Sequence, residues 1–162
     1  MAWKYLVVDF EKCTGCRACE IACSLAHNKG CNPYRSSITV IKWEKKGLFV
    51  PMVCQQCETA PCEDVCPTGA LFRNNETGAM VVDHEKCIGC RMCITACPFG
   101  GPSLDIKDRK INKCDLCDGD PTCVKFCETK ALEYIPLTKM AQLKKRAGAQ
   151  KLAKALDEIT IK

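Results

Sequence analysis

Sixteen of the 17 cysteines in this 162-residue chain fall into four groups of four, spaced as metal ligands are spaced. The first group is Cys13, Cys16, Cys19 and Cys23, and the third is Cys87, Cys90, Cys93 and Cys97; both run C-x2-C-x2-C-x3-C. The second (Cys54, Cys57, Cys62, Cys66) and the fourth (Cys114, Cys117, Cys123, Cys127) are the same run with a longer middle loop. Thiolates at every third position can wrap three iron corners of a [4Fe–4S] cubane, and steric access leaves the fourth corner to a distant cysteine. Four-cysteine zinc sites use two C-x2-C pairs separated by a longer stretch, which is a different pattern. A disulfide scaffold is disfavoured because the cysteine total is odd and nearly every cysteine has a close neighbour. The first ten residues show neither a long apolar stretch nor a small-residue cleavage site, and no twin-arginine pair, so the expected compartment is a reducing cytoplasm. The chemistry that remains is one-electron transfer through four [4Fe–4S] clusters.

The polypeptide around the thiols repeats too. Residues 12–23 and 86–97 both read Lys-Cys-x-Gly-Cys-Arg-x-Cys-x-x-Ala-Cys, and 67–71 (PTGAL) echoes 128–132 (ETKAL). Tight and enlarged motifs alternate, as if one two-cluster unit had been duplicated. Gly15 and Gly89 sit inside the tight loops, where a residue without Cβ lets backbone N–H groups approach a cluster. Pro67 and Pro98 follow a fourth cysteine and turn the chain away; the other two groups have Ser24 and Glu128 there.

Both tight motifs match the bacterial ferredoxin run, whose fourth cysteine ligates the other cluster of a pair. Residues 69–73 and 78–83 flank a polar turn and read as a β-hairpin between the second and third groups, as in two-cluster ferredoxins. Those groups then share a domain; by elimination the first and fourth share another, with residues 4–8 pairing 131–135. Cysteine exchange within each pair predicts cluster 1 on Cys13, Cys16, Cys19 and Cys127, and cluster 2 on Cys54, Cys57, Cys62 and Cys97. Cluster 3 falls on Cys87, Cys90, Cys93 and Cys66, and cluster 4 on Cys114, Cys117, Cys123 and Cys23. The expected fold is α+β: a ferredoxin-like domain (54–105) inserted in another (1–30 plus 106–136), with short β-hairpins, a hairpin insertion at 31–53 and a C-terminal helix at 137–162.

Outside the motifs, Cys31 belongs to no group and reads as a small buried hydrophobe. His27 and His84 have no ligand vacancy to fill and are expected in surface or hydrogen-bonding roles. Trp43, in the 37–53 hairpin, is expected to pack beneath it. Lys12, Lys86 and Arg91 read as solvated charges. Residues 138–161 suggest a helix N-capped by Thr138, with Met140, Leu143, Ala147, Leu152, Leu156 and Ile159 on one stripe that docks a subunit. The net charge of +5 lies entirely in residues 137–162, with seven basic and two acidic groups, while the rest balances at 17 against 17. That distribution argues against nucleic acid. No run approaches the roughly 20 apolar residues of a membrane span. No phosphate-cradling glycine loop and no nucleophile–base set are present, so the chain is expected to be non-catalytic.

Residues 3–136, with all sixteen grouped cysteines, resemble the four-cluster iron–sulfur subunits of molybdenum and tungsten oxidoreductases, of the dimethyl sulfoxide reductase B-subunit type. Residues 97–104 (CPFGGPSL) and 113–121 (KCDLCDGDP) look most like the small polyferredoxin subunits of tungsten aldehyde oxidoreductases; a similar subunit accompanies tungsten benzoyl-CoA reductases. The resemblance implies pairing of the first group with the fourth and the second with the third. It also implies a tungsten- or molybdenum-pterin catalytic partner, with a flavin subunit for NAD reduction as a further candidate. A free-standing polyferredoxin shuttle is the competing role.

Overall fold

Cysteine loops consume most of the chain, so the regular elements between them are short. The computed structural model describes residues 3–142, together with 145 and 149. Four two-stranded antiparallel sheets make up its β-structure: β1 (Lys4–Val8) with β8 (Leu132–Pro136), β2 (Thr39–Trp43) with β3 (Leu48–Met52), β4 (Leu71–Arg73) with β5 (Met80–Val82), and β6 (Ser103–Asp105) with β7 (Lys110–Asn112). The β1–β8 register sets Lys4 opposite Pro136 and Val8 opposite Leu132, which brings the two ends of the cysteine-bearing region together. Three of these pairings follow the sequence pattern. The fourth, β6–β7, was not anticipated, and the expected division after residue 105 falls inside this hairpin.

Four helices carry cysteines: α1 (Ala18–Asn28), α2 (Pro61–Asp64), α3 (Met92–Ala96) and α4 (Thr122–Lys125). Helix α1 packs against α4, and α2 against α3. Two apolar cores result. One joins Cys19, Cys23, Ile38, Val40, Val53, Cys123 and Leu132; the other joins Ala60, Cys62, Leu71, Met80, Cys93 and Ile111. Cysteines take up part of both cores, so metal binding is expected to supply folding energy to each. Arg35 ties the segment after α1 to the β6–β7 turn through Asp105, at 2.5 Å, and Asp108.

Three expectations need correcting. Trp43 is 47% exposed, because it ends β2 opposite Leu48 at the open tip of its hairpin, away from either core. Cys31 is exposed, on the loop that leaves α1 through the left-handed Lys29. Residues 137–142 are helical, so the helix begins before Thr138 and that residue is no N-cap; the remainder of the expected stripe beyond Met140 lies outside the described residues.

Candidate metal centre

Each tight loop bends through a left-handed glycine and a left-handed arginine: φ is 71° at Gly15 and 63° at Arg17, and 69° at Gly89 and 66° at Arg91. This pair of turns curls the loop so that its first three thiols face one point. The following helix returns the fourth thiol toward the neighbouring motif. Four small cavities collect the sixteen grouped cysteines, four in each. Cys13, Cys16, Cys19 and Cys127 line cavity 1. Cys54, Cys57, Cys62 and Cys97 line cavity 2, and Cys66, Cys87, Cys90 and Cys93 line cavity 3. Cavity 4 has Cys23, Cys114, Cys117 and Cys123. Each therefore draws three cysteines from one motif and one from its partner. With their open mouths included, the cavities measure 320, 340, 340 and 350 Å³, near-equal sizes that suit one kind of occupant.

The donor set discriminates between occupants. A single zinc with Zn–S near ~2.3 Å would hold its sulfurs about 3.8 Å apart. Among the described residues, the only trio of His, Cys, Asp or Glu ligand atoms lying within 4.8 Å of one another is His27, Asp115 and Cys117. No cysteine quartet closes on a single ion. All-thiolate quartets spread around a cavity fit an iron–sulfur cube instead, whose corners stand apart.

Burial disfavours free thiolates at several of these positions. It pushes the Cys114 thiol up to about 12 and, helped by the neighbouring Glu20 carboxylate, Cys19 to about 12 as well. Cys23, Cys62, Cys93 and Cys123 are also raised, first by burial. At Cys66 and Cys117 burial pushes the same way but is outweighed, at Cys66 by the Leu71 and Thr68 N–H groups and the Thr68 hydroxyl, at Cys117 by His27 and Thr122. Iron displaces the protons outright, so loading couples to pH and to folding.

Side chains next to the cavities differ from one to another. Glu20 is 1% exposed beside cavity 1; it accepts from Val40 N at 2.6 Å and from Arg17 Nε at 2.7 Å. Lys113, 9% exposed, donates from Nζ to Cys54 Sγ at 3.1 Å and to Met80 O at 2.7 Å. His27 Nε2 lies 3.4 Å from Cys117 Sγ and 3.6 Å from Asp115, a hydrogen-bonding role as anticipated. His84 lines a wider polar cleft with Asp105, Lys110 and Asp118 and meets no cysteine there. Lys12, Lys86 and Arg91 stand at the surface. Sequence reasoning missed Glu20 and Lys113. Glu20's only signal was a carboxylate on the inward face between Cys19 and Cys23.

Comparison with known proteins points to iron–sulfur binding. Residues 45–136 match the model of a 4Fe–4S dicluster domain, and residues 3–25 that of a 4Fe–4S binding domain. The chain is 42% identical over 123 residues to the polyferredoxin-like subunit of an aliphatic sulfonate oxidoreductase from Pyrococcus furiosus, covering 76% of this chain and 70% of that one. It is 39% identical to the putative electron transport protein YsaA of Escherichia coli, over 85% and 92% of the two chains. Among solved structures, the active site complex BamBC of benzoyl coenzyme A reductase, as isolated, superposes with a TM-score of 0.51 at 25% identity, over 97% of this chain and 98% of that one. Two 4Fe–4S ferredoxin-type domains, no helix long and apolar enough to cross a membrane among the described residues, and relatives of this kind lead to one assignment. The chain belongs to the 4Fe–4S dicluster-domain family of iron–sulfur electron-transfer subunits.

Proposed function

We propose that the chain binds four [4Fe–4S] clusters, one in each cavity on the cysteines named above, in two ferredoxin-like domains of which one is inserted in the other. The observation that carries the reading is the distribution of sulfurs: sixteen cysteines in four near-equal cavities, none closing on a single ion. Bound clusters would supply reversible one-electron storage; the polypeptide spaces them and sets their surroundings.

The packing supports a linear order, 1–4–2–3. Cys19 of cavity 1 and Cys123 of cavity 4 share one apolar core, Cys62 of cavity 2 and Cys93 of cavity 3 share the other, and Lys113, next to Cys114 of cavity 4, reaches Cys54 of cavity 2. At the two ends lie Cys16 and Cys90, the exposed cysteines of the sixteen. Ile88 and Met92 flank Cys90, and Phe126 stands by cavity 1, all substantially exposed. Such ends suit electron exchange with docked partners.

The partner is a tungsten- or molybdenum-pterin catalytic subunit of the aldehyde oxidoreductase type, with electrons passing to or from a second subunit, a flavin subunit among them, or a ferredoxin in the cytoplasm. The polyferredoxin-like relative from Pyrococcus furiosus supports a subunit role. The shared fold with the BamBC complex favours, as a second reading, service to a benzoyl-CoA reductase. Both are tested by anaerobic purification of the native complex with iron, sulfide, zinc, tungsten, molybdenum and flavin assayed together. About sixteen irons and sulfides per chain, with a larger tungsten or molybdenum protein, is the expected result. Zinc in place of iron would overturn the cluster assignment, and a chain that purifies alone, fully loaded, would point to a mobile shuttle.

A further inference from the structure

Cavity 2 has a buried ammonium against one of its thiols, whereas the basic side chain in cavity 4, His27 at 3.4 Å from Cys117 Sγ, is exposed and also faces Asp115. Lys113 is the only charged side chain among the residues lining it. It comes from a different motif, immediately before Cys114, and reaches across to Cys54 Sγ at 3.1 Å while Met80 O, at 2.7 Å, holds the ammonium in place. In cavity 1 the nearest cation, Arg17, is half exposed and paired to Glu20. In cavity 3 the corresponding Arg91 is exposed. The N–H of Gly101 adds a second donor in cavity 2, to Cys97 Sγ at 3.3 Å.

We propose that Lys113 is a positioning residue that raises the reduction potential of the cluster on Cys54, Cys57, Cys62 and Cys97, making this inner position the one where an electron rests. This builds on the four-cluster reading. Reduction adds one negative charge to the cluster and its thiolates. A donor on a ligand sulfur and a positive charge in a poorly solvated site both favour the reduced form. The interaction strengthens as the sulfur gains charge, so it biases the two redox states differently. Because Lys113 directly precedes Cys114, which lines cavity 4, the neighbouring cluster 4 feels a weaker version of the same field.

The test is an EPR-monitored redox titration of the holo chain against Lys113→Met, which keeps the stem and removes the donor and the charge. One of the four waves should fall, so that at its original midpoint the reduced-to-oxidised ratio drops from even to 1:10 or lower, a shift of about 59 mV for one electron. The outer two waves should stay. Full iron in both proteins with four superimposed waves would overturn the proposal and leave the cluster reading intact; a wild-type chain short of sixteen irons would remove its premise and overturn it with that reading. Should Lys113→Met fail to load, wild-type protein grown on ζ-15N-lysine decides: one reduced-cluster signal should carry a 15N coupling that Lys113→Arg abolishes. No such coupling in any signal would refute the contact.

Discussion

The two tight loops, residues 12–23 and 86–97, share their cysteines, their lysine, their arginine and the same left-handed turns at glycine and arginine, yet they are built on differently. After Cys97 comes Pro98, and α3 stops at five residues. After Cys23 comes Ser24, and α1 runs for 11 residues to Asn28. Proline disfavours helical backbone at the residue before it, whereas Ser24 continues the helix and turns its hydroxyl to use. Fully buried, it donates to Ile21 O at 3.1 Å and accepts from Asn32 N at 3.0 Å, pinning the chain where it leaves α1. The β2–β3 hairpin then folds back over the first loop. Cysteine spacing thus dictates the loop, and the single residue after it dictates what covers the loop.

Exchange of the fourth cysteine is the feature both loops share, and breaking it has the largest expected effect. Cys23→Ala should cost about four irons, and adding Cys117→Ala should cost no more, because both serve one cavity. Adding Cys16→Ala instead should bring the loss to about eight. The reverse pattern, in iron assays of anaerobically loaded protein, would place Cys23 with its own loop and break the comparison at its root.

The cover provides the next contrast. A Cβ at Gly15 would sit 2.6 Å from Phe49 Cδ1, whereas one at Gly89 would meet nothing within 4 Å. Alanine is strained at both positive φ values, by about 1–2 kcal/mol. Gly15→Ala also overpacks Phe49, for a total of about 3 kcal/mol. The measurement is the guanidinium concentration at which the cluster absorption is lost, with Phe49→Ala expected to restore part of the Gly15→Ala deficit. Equal effects at the two glycines would mean that the hairpin does not seat on the first loop.

A smaller effect belongs to the position after the third cysteine, Glu20 in one loop and Ile94 in the other. Glu20→Ala strands the Val40 N–H and Arg17 and should cost about 2 kcal/mol. Ile94→Ala, at a half-buried site with no polar partner, should cost about 1 kcal/mol from lost apolar burial. In a redox titration Glu20→Gln should raise the potential of the cluster in cavity 1, since a buried negative charge opposes reduction, while Ile94→Ala should not move cavity 3.

Much of this was legible in the sequence because it is local. The cysteine runs mark the loops, and polar turns between short apolar runs mark the hairpins around residues 44–47 and 74–77. The pairing of residues 4–8 with the strand after Ala131 followed by elimination, once the hairpin around 74–77 had joined the second group to the third. The β6–β7 hairpin was hidden because 106–109 (IKDR) has no glycine or asparagine at its turn, and Arg109 takes the left-handed position in their place. Lys113 was hidden for another reason: its contact spans 59 residues between motifs, so no local pattern announces it. Trp43 misled because size suggested burial while the hairpin tip offered none.

The smallest contrast lies just ahead of each loop, where Asp9 pairs with Lys12 at 2.9 Å and Asp83 with Lys86 at 3.3 Å. Exposed pairs of this kind contribute little. The Asp83 carboxyl is nonetheless held below the ordinary carboxylate range, first by the Glu85 N–H at 2.9 Å and then by Lys86. Lys12 is held above the ordinary ammonium range, first by its hydrogen bond to Asp9. The signs are opposite. Asp83 stabilises the fold above its unfolded pKa near ~3.9, and the contribution vanishes as pH falls through the lower folded value. Lys12 stabilises below its unfolded pKa near ~10.4, and its contribution vanishes as pH rises through the higher folded value. The deficit of Asp83→Asn against wild type should therefore be full at pH 7 and close below about pH 4, while that of Lys12→Met should close only in alkali. Because clusters bleach at both extremes, the readout is the difference in bleaching rate between variant and parent at each pH. An Asp83→Asn deficit unchanged down to pH 3 would show that the aspartate acts through its N–H contacts alone, and that its charge adds nothing to the loop.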